Sequence, residues 1–288
     1  MKILIIGNGQ LGSCAYKILS EKKDKYEIKI SGIEGDFDFK YDLINGNLEK
    51  VLGDYLPEVI ILTAAYTHVD GCEEKPNLSF AINVKGTENI VKFCKTHQVK
   101  LIFFSTDYIF DGNHGPYSED DSPNPLNVYG QHKLNAEKII KENLKNYLIL
   151  RIAWLADIKY DNMNFVARLL EKLKNRESLK IVDDQYGNPT LTRNVVENIE
   201  VFLDQNLSGT YHISGTEMIN RFAYARKIAE IFGYDPNLIL KAKSNDFKTA
   251  AKRPLYGGMN TAKAKKIPGI KLLNVEEMVY KMKDDIAF

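Results

Sequence analysis

No apolar run in the sequence approaches the roughly 20 residues a helix needs to cross a bilayer, so a membrane-spanning protein is not expected. Cysteine is scarce. Cys14, Cys72 and Cys94 are three, widely spaced and without a C-x-x-C pair, which excludes a disulfide framework. They read as reduced thiols in a cytoplasmic protein. The five histidines have no metal-ligand spacing, and no metal site is expected. Neither sign of charge prevails: 39 Lys and Arg stand against 38 Asp and Glu. A chain so balanced is not drawn to nucleic acid or to an anionic membrane surface. Repeats, low-complexity tracts and flexible linkers are also missing. The start, MKILIIGNGQLG, lacks the length and cleavage site of a signal peptide.

What is present is alternation. KILIIG, EIKISGI, EVIILTAA, KLIFFSTD and YLILRIAWL are short, nearly continuous apolar runs, as expected of strands covered on both faces. Helical stretches separate them, among them GNGQLGSCAYKILSEKK and FAINVKGTENIVKFCKTH. Such alternation predicts an α/β fold with a doubly wound parallel sheet. The second half is less regular, with amphipathic helices over NFVARLLEKLKNRES and NRFAYARKIAEIFG and a short strand at GTYHISG. The expected organisation is a nucleotide-binding domain over 1–155, to which the chain returns near 190–213. A smaller, mainly substrate-binding region covers 156–288.

The first strand runs into Gly7-Asn8-Gly9-Gln10-Leu11-Gly12 and then a helix. That is the context in which G-x-G-x-x-G signals a dinucleotide. Gly7 permits the tight turn, Gly9 lets backbone approach a pyrophosphate, and Gly12 lets the helix lie close to the strand. The free N–H groups and dipole at the helix start favour the anion. An acid near the end of the second strand would bond the ribose 2′-hydroxyl. Glu34 lies near that place, with Asp36 close by and no Arg to meet a 2′-phosphate, which leans to NADH over NADPH. The other reading of these acids is a solvated loop.

Ser105 and Thr106 fall at the carboxyl end of the fourth of these strands, the edge where open parallel sheets bind ligands. Tyr129 and Lys133, four residues apart on the next helix, share one face. Alone they are an ordinary helix pair. Beside Thr106 and a glycine loop they read as a proton donor and the cation that tunes it. A neighbouring ammonium is expected to pull the phenol down toward working pH.

These segments resemble the extended short-chain dehydrogenase/reductases and, within them, the dTDP-4-dehydrorhamnose reductase family. The likeness runs through TAAYTHVDGCE (63–73), NVKGT (83–87), STDYIFDG (105–112), YGQHKLNAE (129–137), LRIAWL (150–155), VDDQYGNPT (182–190), GTYHISG (209–215) and KRPLYGGMNTAK (252–263). It implies NADH- or NADPH-dependent reduction of the C4 keto group of a nucleotide-linked 6-deoxy-4-keto sugar. Thr106, Tyr129 and Lys133 would be catalytic, with Asn83 supporting a proton path. Gly7, Gly9, Gln10, Leu11 and Gly12 would hold the pyrophosphate, and Asp42 and Leu43 would lie against the adenine. Ala64, Ala65 and Tyr66 would line the nicotinamide side. Thr67, Val69, Asp107, Trp154, Gln185 and Arg253 would face the sugar nucleotide, with Thr106 also touching it. The partner implied is a small molecule, and a homodimer is an assembly open to the chain.

Two departures stand out: the family loop is usually G-x-x-G-x-x-G, one residue longer, and Gly257 stands where a serine is common. Nucleotide-sugar dehydratases resemble the fourth-strand region but carry Thr-Asp-Glu. Thr106-Asp107-Tyr108 lacks that glutamate, which disfavours elimination. A non-catalytic alternative is a regulatory subunit similar to the accessory subunit of methionine adenosyltransferase, which binds NADP. A nucleotide-sugar epimerase or reductase with another substrate is a further one.

Overall fold

The computed structural model describes residues 1–159 and 164–285. Its centre is a seven-stranded sheet in which every neighbouring pair is parallel. The strands are β1 (Lys2–Ile6), β2 (Glu27–Gly32), β3 (Phe39–Lys40), β4 (Val59–Leu62), β5 (Lys100–Thr106), β6 (Tyr147–Ile152) and, much later, β11 (Gly209–His212). Their spatial order is β11-β6-β5-β4-β1-β2-β3. The two-residue β3 adds an edge strand that the apolar runs do not announce, so EVIILTAA is fourth in the chain rather than third.

Helices cover both faces, which is why the strands read as unbroken apolar runs. Ile3, Ile5, Val59, Ile61, Ile102 and Phe104 point to one core, against α1 (Gln10–Ser20) and α8 (Thr192–Asp204). Their chain neighbours Leu4, Ile60, Leu62, Leu101 and Phe103 point to the other. There they meet α2 (Leu48–Leu52), α5 (Thr87–His97) and α6 (Val128–Asn143). Each fully buried aliphatic side chain contributes about 1.5–3 kcal/mol. Between β4 and α5 lie α3 (Val69–Glu74), α4 (Pro76–Phe80) and a π-helical turn, Ala81–Gly86, at the start of the expected helix.

A third core fills the smaller region. It joins α7 (Phe165–Lys174), α9 (Arg221–Phe232) and α11 (Val275–Asp284). Three short pairings brace it: β7 (Leu155–Ala156) with β10 (Thr190–Leu191), β8 (Leu179–Val182) with β13 (Ile239–Ala242), and β9 (Tyr186–Gly187) with β12 (Ile219–Asn220). The short α10 (Ala262–Lys265) returns to the sheet and buries Ala264 in the first core. Among the described residues no helix is long and apolar enough to cross a membrane. The three cysteines are free and buried.

The chain leaves β1 toward β2 on one side and resumes at β4 on the other. Loops therefore diverge at the carboxyl ends of β1 and β4. A crevice opens at that switch point, as the winding of such sheets requires.

Candidate active site

The glycine loop forms the floor of a crevice of about 860 Å³. Gly7 has φ +112°, and a Cβ there would fall 2.5 Å from the Ala64 nitrogen. At Gly12 a Cβ would lie 1.9 Å from the Gly7 carbonyl oxygen, so helix and turn meet only because both are glycine. Gly9 differs: a Cβ there meets nothing within 4 Å and would project into the crevice. Gly9 is also the N-cap of α1, with no side-chain cap and no acid in the first turn. The amides at the helix start are thus left for a ligand. The Gln10 amide donates to the Thr192 hydroxyl at 2.5 Å, tying loop to α8.

The end of the crevice away from Tyr129 is walled by Ser31, Gly32, Ile33, Asp42 and Leu43. The Asp42 carboxylate accepts from Ile44 N and Asn45 Nδ2, so it shapes its own turn. Glu34 lies outside this lining, exposed in the loop after β2. The strand ends at Gly32, and the chain then swings outward.

Ala64, Ala65, Thr67 and Val69 line the middle of the crevice. Tyr66 does not; its backbone is clamped by Asn83, which accepts from Tyr66 N at 2.8 Å and donates to Tyr66 O at 2.9 Å. Asn83 also reaches Ser79, which bonds His132 at 2.8 Å. Its side chain therefore fixes the loop beside the crevice, and no bond to Tyr129 or Lys133 is found.

Thr106, Asp107, Tyr129 and Lys133 converge at the far wall. The Thr106 hydroxyl donates to Asp107 Oδ1 at 3.1 Å and accepts from Tyr108 N at 3.2 Å. Burial pushes the Asp107 carboxyl up to about 7, against the Thr106 hydrogen bond and the Arg221 charge. Tyr129 stands in the first turn of α6, capped by Asn127. Gly130 lets this turn approach: a Cβ there would lie 2.1 Å from the Tyr108 carbonyl oxygen.

The phenol does not behave as the helix spacing suggests. Burial first, and then the Asp107 charge, push Tyr129 upward, while a Thr106 hydrogen bond pulls the other way. Lys133 is buried, with its Nζ 3.9 Å from the centre of the Phe103 ring. Burial lowers its ammonium to about 7, with the Glu137 charge opposing. The Lys133 ammonium lies over Phe103, and burial keeps the Tyr129 phenol protonated. A buried ammonium facing the crevice without a carboxylate partner, an open Gly9 face and free helix amides together fit a nicotinamide dinucleotide.

Trp154 closes the wall with φ +44°. Its ring occupies the space where a Gly187 Cβ would sit, 2.6 Å from Cε2. That contact explains the glycine of the DQYGNPT segment. Arg221, which sequence reasoning did not single out, stacks on Trp154 with Cζ 3.8 Å from the ring centre. A second cavity, about 1010 Å³, opens beyond Arg221 and Tyr108. Gln185 and Arg253 line it. Gln185 donates to Ser244, and Arg253 forms a two-bonded pair with Asp70 at 2.6 and 3.1 Å. Arg253 thus pins the loop before Pro254 to α3, and its charge is already met. Among the described residues no cluster of three or more His, Cys, Asp or Glu is placed to hold a metal ion.

The RmlD substrate binding domain family matches residues 1–288. A dTDP-4-dehydrorhamnose reductase of Aggregatibacter actinomycetemcomitans is 30% identical over 93% of this chain and 94% of its own. The crystal structure of a dTDP-4-dehydrorhamnose reductase from Clostridium acetobutylicum superposes with a TM-score of 0.91, at 30% identity and complete coverage of both chains. A Bacillus anthracis dTDP-4-dehydrorhamnose reductase in complex with NADP gives 0.89 at 31% identity, covering 99% of each chain. By motif order, fold and full-length match, the chain belongs to the RmlD substrate-binding-domain family.

Proposed function

We propose that the protein is a nicotinamide-dependent reductase of the C4 keto group of a nucleotide-linked 6-deoxy-4-keto sugar, with dTDP-4-dehydrorhamnose as substrate and dTDP-rhamnose as product. The observation that carries this reading is the convergence of Thr106, Tyr129 and Lys133 on one wall of a crevice floored by the glycine loop. The full-length relatives named for that reaction support it.

The cofactor supplies a hydride when bound. The chain supplies everything else. The amides at the start of α1 and the open face of Gly9 would hold the pyrophosphate, and Lys133 would bond the nicotinamide ribose. Tyr129, held protonated by burial, gives its proton to the oxygen at C4 of the sugar. Thr106, fixed by Asp107 and Tyr108 N, orients that phenol and the carbonyl. Asn83 steadies the 64–67 loop by gripping Tyr66. Residues 1–155 with the return at 190–213 act as the dinucleotide-binding part, and the remainder mainly receives the sugar nucleotide.

NADH is the favoured cofactor. Among the described residues the only cations lining the crevice, Lys133 and Arg221, stand at its catalytic end, which leaves a 2′-phosphate at the adenosine end without a counter-charge. The test is oxidation of NADH and NADPH with a panel of nucleotide-linked 4-keto-6-deoxy sugars. Turnover with at least one such substrate, faster with NADH, is expected. No turnover with any would overturn the reductase reading, and equal kinetics would overturn the cofactor preference.

A further inference from the structure

We propose that Arg221 is the anchor for the diphosphate of the nucleotide-linked substrate, seated where the two cavities meet. This rests on the sugar-nucleotide reading above, and the experiment below separates the two.

The sugar carbonyl must reach Thr106 and Tyr129 in the first crevice. The nucleoside then needs a separate place, and the second cavity offers one. Its rim carries Phe247 and Tyr256, the latter stacked on Tyr186 with ring centres 4.8 Å apart. Whatever joins sugar to nucleoside has to pass the junction. Among the described residues Arg221 and Tyr108 alone line both cavities, and Arg221 is the only cation that does.

Arg221 is built for an anion. It begins α9, with its backbone N–H bonded to the Gln185 carbonyl and its helix capped by Asn220. Its guanidinium carbon lies 3.8 Å from the centre of the Trp154 ring and 4.9 Å from the centre of Phe165. A guanidinium held over rings still carries its fork of N–H donors at the edge, the group that grips phosphate oxygens in pairs. No ion pair or side-chain hydrogen bond satisfies that edge among the described residues. The Asp107 carboxylate acts on it through charge and not through a hydrogen bond. Burial accordingly disfavours the Arg221 cation as it stands, and an anionic ligand would relieve that cost.

The obvious rival is Arg253. It is neutralised by Asp70 and donates to the Ala251 carbonyl, while Asp70 also accepts from Ala251 N. The other cations of the second cavity, Arg168, Lys180 and Lys252, are exposed, where solvent weakens their pull.

The experiment is calorimetric titration of the full chain with dTDP and with thymidine, in the wild type, Arg221→Met and Arg221→Lys. Methionine keeps an unbranched stem on Trp154 and removes the charge. NADH titration serves as the control for an intact fold. The wild type should bind dTDP more tightly than thymidine. In Arg221→Met that advantage should fall about 10- to 100-fold, the worth of a hydrogen-bonded charge. Arg221→Lys should fall between them, because the planar fork is lost while the charge remains. Unchanged dTDP affinity in Arg221→Met, or equal loss for thymidine and dTDP, would overturn the proposal. If Arg221→Met fails the NADH control, Arg221→Lys decides alone: wild-type dTDP affinity there overturns the bidentate role. Failure of the wild type to reduce any keto sugar nucleotide would sink the reductase reading and leave this binding comparison standing.

Discussion

Lys133 is retained at a cost to stability, and the cost has a pH signature. Its ammonium falls from 10.5 to about 7 because burial beside Phe103 removes water from the charge. The unfolded chain therefore holds the proton more tightly than the folded one between about pH 7 and 10.5. Where the unfolded state binds more protons, stability rises with pH. The penalty is full below pH 7 and fades as pH climbs toward 10.5. Linkage puts it at roughly 5 kcal/mol at pH 6 and roughly 2 kcal/mol at pH 9. Relaxation and water entry reduce such figures, and a gain of about 2 kcal/mol at pH 6 is expected on replacing the ammonium with an isosteric apolar chain. Lys133→Met should thus melt several degrees above wild type at pH 6 without ligand, with a smaller gap at pH 9. It should also lose turnover and cofactor affinity. Thermal unfolding at the two pH values, with and without NADH, is the assay. A variant no more stable than wild type at pH 6 would refute the picture of an unpartnered buried ammonium waiting for its ribose.

Tyr129→Phe keeps the ring edge-on to Tyr108, at 6.1 Å and 78°, and removes the proton. It should lower kcat by about 10²–10⁴-fold with cofactor Kd nearly unchanged, and near-normal turnover would reduce the pair to two residues on a helix face. Gly9→Val should abolish dinucleotide binding with the fold intact, because its side chain enters open crevice rather than packed protein. Fluorescence titration with NADH checks it, and unchanged affinity would count against the glycine-loop assignment. Gly187→Ala should drive Trp154 off its seat, costing about 1–3 kcal/mol. Trp154 is the sole tryptophan, so its emission reports the move directly, and an unshifted spectrum would contradict the contact.

The sheet was legible because its strands are covered on both faces, which leaves each as a bare apolar run such as KILII. The edge strand at Phe39–Lys40 is two residues long and carries no pattern of its own. Helix α8 was readable in principle: Val195, Val196, Ile199, Phe202 and Leu203 repeat at helical spacing and are all buried. The glycine loop, Thr106, Tyr129 and Lys133 fell where local spacing and strand ends put them. What the sequence does not show is long-range. Glu34 sits near the expected distance from the loop, but the strand stops short and turns it outward. Arg253 finds its partner 183 residues away in Asp70, and Arg221 finds Trp154 and Phe165 through tertiary packing. The phenol's environment is set by burial and by the Asp107 charge, neither of which helix spacing reveals.

The cover of the first core comes from opposite ends of the chain. The sheet face bearing Ile3, Ile5, Val59, Ile61, Ile102 and Phe104 is sealed by α1 but also by α8 and by Ala264. A ribosome that has released six strands has therefore released a half-roofed layer. That apolar face stays open until residues 195–203 emerge, and the last strand at the sheet edge follows only at Gly209–His212. Nascent chains paused near residue 160 should be the species that chaperones hold, and a fragment cut there should aggregate rather than bind a dinucleotide.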